Sequence, residues 1–362
     1  MAVTEFGVNH PLAVKLWSKK LMYEALKETW ISKFIGKGSD SLIQIDPQLK
    51  EVGDKLTYGL RVLLTGDGVQ GDATLEGNEE NLLFYSDSIV INQLRHAVRS
   101  AGKMTEQRVP YSMREEARQG LSDWLSERFD VAFFNQIAGN SGITDTKFTG
   151  NNTATAPDSG HAIYAGDAGS EASLTTSASS TFNLAMIDRA VLKAKMAAPS
   201  MRPLRVGGED KWVMFIHPYA HYQLRGQSTT GLYMDIQKAA VSGGQISKNP
   251  IYTGAIAEYA GVVIHESVRV PWGVDAAANT VAPRNYVGTA SVARNILCGA
   301  QAGIMTFGKD SSSSLAANWK EELFDYGNQL GVAAGVTFGL KKAIFNSKDF
   351  GTITASTYSP SA

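Results

Sequence analysis

A chain of 362 residues can fill two or three lobes, and one compact globule of that size is not expected. Its 34 basic and 35 acidic side chains leave a net charge of -1, which removes the global positive field that nucleic-acid binders use. An apolar fraction of 43% argues against wholesale disorder, no apolar run approaches the ~20 residues of a bilayer span, and the lone Cys298 rules out an intrachain disulfide.

The first residues carry Glu5, His10, Lys15, Lys19 and Lys20 where a signal peptide would be apolar, so a soluble protein from a reducing compartment is expected. Residues 11–35 are amphipathic, with Leu12, Leu16, Trp17, Leu21, Tyr23, Ala25, Trp30 and Phe34 among Lys and Glu, and Gly36 and Gly38 should end the helix. Such an aromatic-rich segment reads as an arm. From Leu56 the even positions through Leu64 are apolar, a period-two strand, and a second strand-like run spans Leu82–Leu94. Between them, Gly66, Gly68 and Gly71 match the dinucleotide fingerprint. That fingerprint also needs a following helix to receive pyrophosphate, whereas here Asp72, Glu76, Glu79 and Glu80 follow, so a hairpin tip is the expectation.

After Pro110, Ser112 and Glu115 have capping-box spacing, and Met113, Ala117, Leu121, Trp124, Leu125, Val131 and Phe134 continue at helical steps until Gly139. A long helix over 112–138 follows. Residues 139–180 are rich in Gly, Ser, Thr, Asn and Ala, too poor in apolar bulk to offset their own ordering entropy, and are expected to be held down by neighbours. A helix should resume from Thr181, a buried strand is expected over Lys211–Ile216, and Pro218 should open a short helix. Further strands are expected at Ala260–Ile264, Ser291–Cys298, Gly303–Phe307 and Gly331–Leu340.

Residues that could carry chemistry are few. His217 and His221 are four apart, a spacing that lets two imidazoles share a metal, but Pro218 stands where a metalloprotease helix has its general base. A capping or core-edge pair is favoured, and His265 could join only through tertiary folding. There is no Gly-x-Ser-x-Gly elbow, phosphate loop or paired-Cys zinc pattern. Charge is more suggestive. Asp67, Asp72, Glu76, Glu79 and Glu80 form a block without Lys or Arg, and Arg95, Arg99, Lys103, Arg108, Arg114 and Arg118 form a basic block around the long helix. Each could be a solvated face. Together they suit a self-association contact between subunits.

Three stretches resemble one family: Trp212 to Pro218, a strand running into a His-Pro turn; Glu258 to Ser267; and Tyr326 to Gly335 continuing through Lys342 to Phe345. They resemble tailed-bacteriophage major capsid proteins of the Hong Kong type, most closely the Schitoviridae-type podophage group. The resemblance implies an α+β fold with an N-terminal arm at 1–50 and an extended β-hairpin loop at 51–94. It further implies a peripheral domain at 95–225 with the spine helix at 112–138 and the insertion at 139–180, an axial domain at 226–319, and a return to the peripheral domain with a C-terminal tail at 320–362.

The function so implied is structural, without catalysis or cofactor: hexamers and pentamers of an icosahedral head around double-stranded DNA bound without sequence specificity. Assembly would occur in the host cytoplasm, away from membranes, with a portal protein. No long charged extension precedes the arm, so a separate scaffolding protein is expected. Some relatives crosslink through a loop Lys; this loop tip has none, and Lys55 lies at its base, so non-covalent contacts or a separate cement or decoration protein are expected. The alternative reading is a metal-dependent hydrolase using His217, His221 and His265.

Overall fold

The computed structural model describes residues 21–46, 54–226, 255–273, 291–308 and 317–360, apart from Tyr23, Leu63, Ala73, Asp167, Thr175, Ala198, Pro199 and Gly207. Expectations for residues 1–20, and for most of the segment 226–319, lie outside these.

Two mixed sheets organise the chain around the spine helix, Met113–Ile137. In the first sheet the long strand Gln329–Lys342 is central. It pairs antiparallel with Asn92–Arg99, with Ala317–Phe324 and with Gly303–Phe307, and the last of these pairs parallel with Ile43–Asp46. The second sheet runs in the order Ala162–Tyr164, Thr352–Tyr358, Val292–Cys298, Glu209–Ile216, Val262–Glu266, Ala257–Tyr259. Strands of the 226–319 segment pair with strands on both sides of it, Val262–Glu266 and Val292–Cys298 with Glu209–Ile216 and Val292–Cys298 with Thr352–Tyr358, so backbone pairing joins segments far apart in sequence.

Spacing explains how the spine helix is buried. Ala117, Leu121, Leu125, Phe129, Phe133 and Ile137 recur every four residues and enter one core with Val332, Ala334, Val336, Phe338 and Leu340, alternate residues of the long strand. Phe129 meets Phe338 edge-on at 4.8 Å. The strand Glu209–Ile216 serves both cores by its period of two: Val213 and Phe215 face the spine, while Trp212, Met214 and Ile216 face the helix Leu184–Met196.

Several local expectations are corrected. Ser112 occupies the N-cap without a side-chain cap hydrogen bond, and its carbonyl accepts from the backbone N–H groups of Glu115 and Glu116. The N-terminal helix does not run to Gly36. Residues 24–28 are helical, and Trp30–Phe34 then form a 3₁₀ turn whose first two N–H groups donate to the buried Asp130 carboxylate at 3.1 and 3.2 Å. Asp130 on the spine thus offers these donors a tertiary partner in place of a further helical turn.

The strand expected at Ala260–Ile264 begins at Val262 and runs to Glu266, because Ala260 and Gly261 take φ of 51° and 75° and form the turn of a tight hairpin with Ala257–Tyr259. The Gly/Ser-rich stretch is held by its own chain. Asn152 donates to the Val90 and Leu340 carbonyls, Gln136 donates to Thr149 and Asn152, and the pair Arg294–Glu171 clamps the segment to the second sheet. Side-chain amides and this ion pair add to the strand Ala162–Tyr164 on the second sheet and to the buried Phe148, Ile163 and Leu174.

Candidate subunit interface

The extended loop is a real hairpin. Lys55–Arg61 and Phe84–Val90 pair antiparallel from Lys55↔Val90 to Arg61↔Phe84, and Val62 N to Leu83 O at 2.9 Å extends the ladder beyond them. Its base is anchored. Leu56 and Ile89 are buried, Tyr58 packs edge-on against Phe345, and the Tyr58 hydroxyl donates to Asp87, which also pairs with Lys341 at 2.5 Å. Burial, followed by the Asp87 carboxylate, pushes the Tyr58 phenol far above its ordinary range.

The tip folds on itself. Glu80 accepts from Thr65 N and from Gly66 N at 2.7 Å, bonds that hold its carboxyl below the usual range, and Glu79 accepts from Gly77 N. Among the described residues 64–80 there is no helix, so the glycine fingerprint has no phosphate-binding terminus. Gly68, Gly71 and Gly77 have positive φ and serve turns. Asp67, Asp72, Glu76 and Glu79 are exposed. So are Leu64, Leu75, Leu82, Leu83 and Phe84, at 52–62%. The acidic tip therefore also carries apolar bulk, in Leu64, Leu75 and the run Leu82-Leu83-Phe84 where the second strand begins.

The basic block divides. Arg114 pairs with Glu321 at 2.7 Å and Arg118 with Glu24, so both are engaged within the chain. Arg95, Arg99, Lys103 and Arg108 are exposed. Phe338 pairs with both Asn92 and Phe307, which places Asn92–Arg99 on the opposite edge of the long strand from Gly303–Phe307. Ser100 N donates to Leu330 O, so alternation turns the backbone groups of Gln93, Arg95, Ala97 and Arg99 away from the long strand. Arg99 also lies over the Phe324 ring at 4.2 Å and donates to Gln329.

The histidines of the hydrolase reading have separate partners. His217 stacks on Trp272 with ring centroids 5.7 Å apart and accepts from Tyr219 N; burial lowers it to about 4. His221 contacts Glu266 at 2.5 Å. His265 is fully buried beside Phe34 and Phe215, on a strand side that faces the spine core. Among the described residues, no group of three or more His, Cys, Asp or Glu is placed to hold a metal.

The comparisons agree with this arrangement. A family model described as phage capsid protein matches residues 5–361, nearly the whole chain. This chain belongs to the phage capsid protein family. It is 29% identical over 365 aligned positions, covering 93% of each sequence, to a protein named major capsid protein from Pseudomonas phage KPP25. It is similar to the capsid of Ralstonia phage GP4, with 32% identity, a TM-score of 0.78 and 99% of each chain covered. The capsid of cyanophage Pam1 shares the fold, with a TM-score of 0.71 at 20% identity, covering all of this chain and 95% of that one. The expected α+β tailed-phage capsid fold is what the chain adopts, and the hydrolase alternative has no support.

Proposed function

We propose that this capsid-family chain builds an icosahedral phage head by joining into hexamers and pentamers, and that the head encloses double-stranded DNA without sequence-specific contacts. The observation that carries the reading is the hairpin. Leu64, Leu75, Leu82 and four acids lie past its last backbone rung, Leu83 and Phe84 sit on the final rungs, and all five apolar side chains are more than half exposed, a patch that a homo-oligomer buries.

The acids Asp67, Asp72, Glu76 and Glu79 then meet the exposed cations Arg95 and Arg99 of a neighbour, while Leu64, Leu75, Leu82, Leu83 and Phe84 supply the apolar part. In this reading the spine helix and the sheet built on Gln329–Lys342 form the peripheral body, and residues 226–319 contribute the axial part. A scaffolding protein, a portal and a cement or decoration protein complete the head, which assembles in the host cytoplasm and acts in the virion without catalysis. Electron micrographs of the purified protein test it: closed shells or ring-shaped capsomers support the reading, and a monomer at every concentration overturns it.

A further inference from the structure

The turn between Ala317–Phe324 and Gln329–Lys342 is built against local preference. Asp325, Tyr326 and Gly327 take φ of 51°, 52° and 85° in succession. Glycine adopts that region freely, whereas two adjacent side chains held there are strained and persist only when neighbouring bonds over-determine them. Those bonds are present. Asn328 N donates to the Asp325 carbonyl at 2.9 Å, the Asn328 amide donates to the Asp325 carboxylate at 3.1 Å, and Lys103 N donates to Asn328 Oδ1 at 3.3 Å.

The result is a phenol ring displayed to solvent: Tyr326 is 110% exposed, more open than in a reference peptide. The helix Lys103–Arg108, tied to the turn through Asn328, shows the matching features. Met104 is 65% exposed, with Lys103 and Arg108 exposed on the same short helix, while Asp325 on the turn and Glu322 near the end of the strand before it are exposed.

We propose that this turn is a second contact between copies of the chain, in which Tyr326 of one copy lies on the Lys103–Arg108 helix of another. A ring face attracts both a thioether and cations, and Asp325 and the nearby Glu322 complement the helix's two cations in charge. Knob and socket sit side by side in one molecule, so copies rotated about a nearby axis satisfy both at once and close a ring. The contact rests on the shell reading above but does not involve the long hairpin.

Two single variants, Tyr326→Cys and Met104→Cys, are mixed before assembly and the particles are then oxidised. The native Cys298 is fully buried, which raises its thiol pKa and keeps it out of the exchange. A disulfide-linked dimer holding one of each variant, absent when either variant assembles alone, is the expected result. Shells without that dimer overturn the turn contact and leave the shell reading standing. A dimer from Tyr326→Cys alone sets turn against turn and overturns the placement on the helix. No particles from the unaltered chain overturn both. Tyr326→Gly gives an independent arm: relief of the φ strain should leave the Tm equal or higher while assembly slows at least tenfold, and assembly at the unaltered rate counts against the proposal.

Discussion

At the scale of single residues, burial sets the protonation of His217. Burial lowers its pKa from 6.5 to about 4, so the folded state holds it neutral while the unfolded chain protonates it near 6.5. A depressed imidazole gives no penalty above the unfolded value, an increasing one as pH falls through the window, and a constant one below the folded value. Denaturant titrations should therefore show the unaltered protein losing on the order of 2 kcal/mol more than His217→Gln between pH 7 and pH 4.5. Gln can still accept from Tyr219 N, so the comparison isolates titration; equal losses would show that His217 does not titrate in that window. The sequence had marked His217 and His221 by spacing alone. It could not show that one stacks on Trp272 while the other meets Glu266, because those partners lie 55 and 45 residues away.

At the scale of elements, the spine helix was legible and its two ends were not equally so. Gly139 stops it as read, with φ of 63° and the Thr155 carbonyl oxygen 2.6 Å from where a Cβ would stand. Gly139→Ala should cost about 1–3 kcal/mol in thermal or denaturant melts, from left-handed strain plus the displaced 155–157 segment. The hairpin calls for a different test. Deleting Gly66 to Asn78 removes residues beyond the last ladder bond and leaves the anchored base, Leu56, Tyr58 and Ile89, in place. The truncated chain should keep a cooperative melt and fail to form closed shells; normal particles would show that the tip contributes nothing to the lattice.

At the scale of the whole molecule, near-neutral net charge conceals two opposed surfaces, and their meeting is open to measurement. Reversing Asp67, Asp72 and Glu76 to Lys should impair assembly, with partial recovery when the exposed Arg95 is reversed to Glu. Arg114 and Arg118 are unsuitable for that rescue, since each already pairs within its own chain. Exposed pairs contribute about 0–1 kcal/mol each, so repetition over many contacts has to provide the effect. Raising salt to about 1 M shortens the screening length to about 3 Å and should weaken assembly in light scattering, leaving whatever Leu82, Leu83 and Phe84 hold. Unchanged assembly of the reversed loop at low salt would assign the contact to apolar burial alone.

The sequence by itself determined the periodic elements: the helical spacing of the spine, the buried strand over Lys211–Ile216, the helix opening at Pro218 and the two strands of the hairpin that carries the glycine-rich tip. These follow from short-range geometry, which repeats every two or 3.6 residues and is written locally. Tertiary structure alone decided the rest. Asp130 ends the N-terminal helix from a hundred positions away, own-chain amides hold the 139–180 stretch, and Gln329–Lys342 unites three antiparallel strands into one sheet. It also set Tyr326 out at the end of a strained turn and divided the basic block into engaged and exposed residues. Long-range pairing has no local period: which donor meets which acceptor depends on chain segments brought together only after the elements pack.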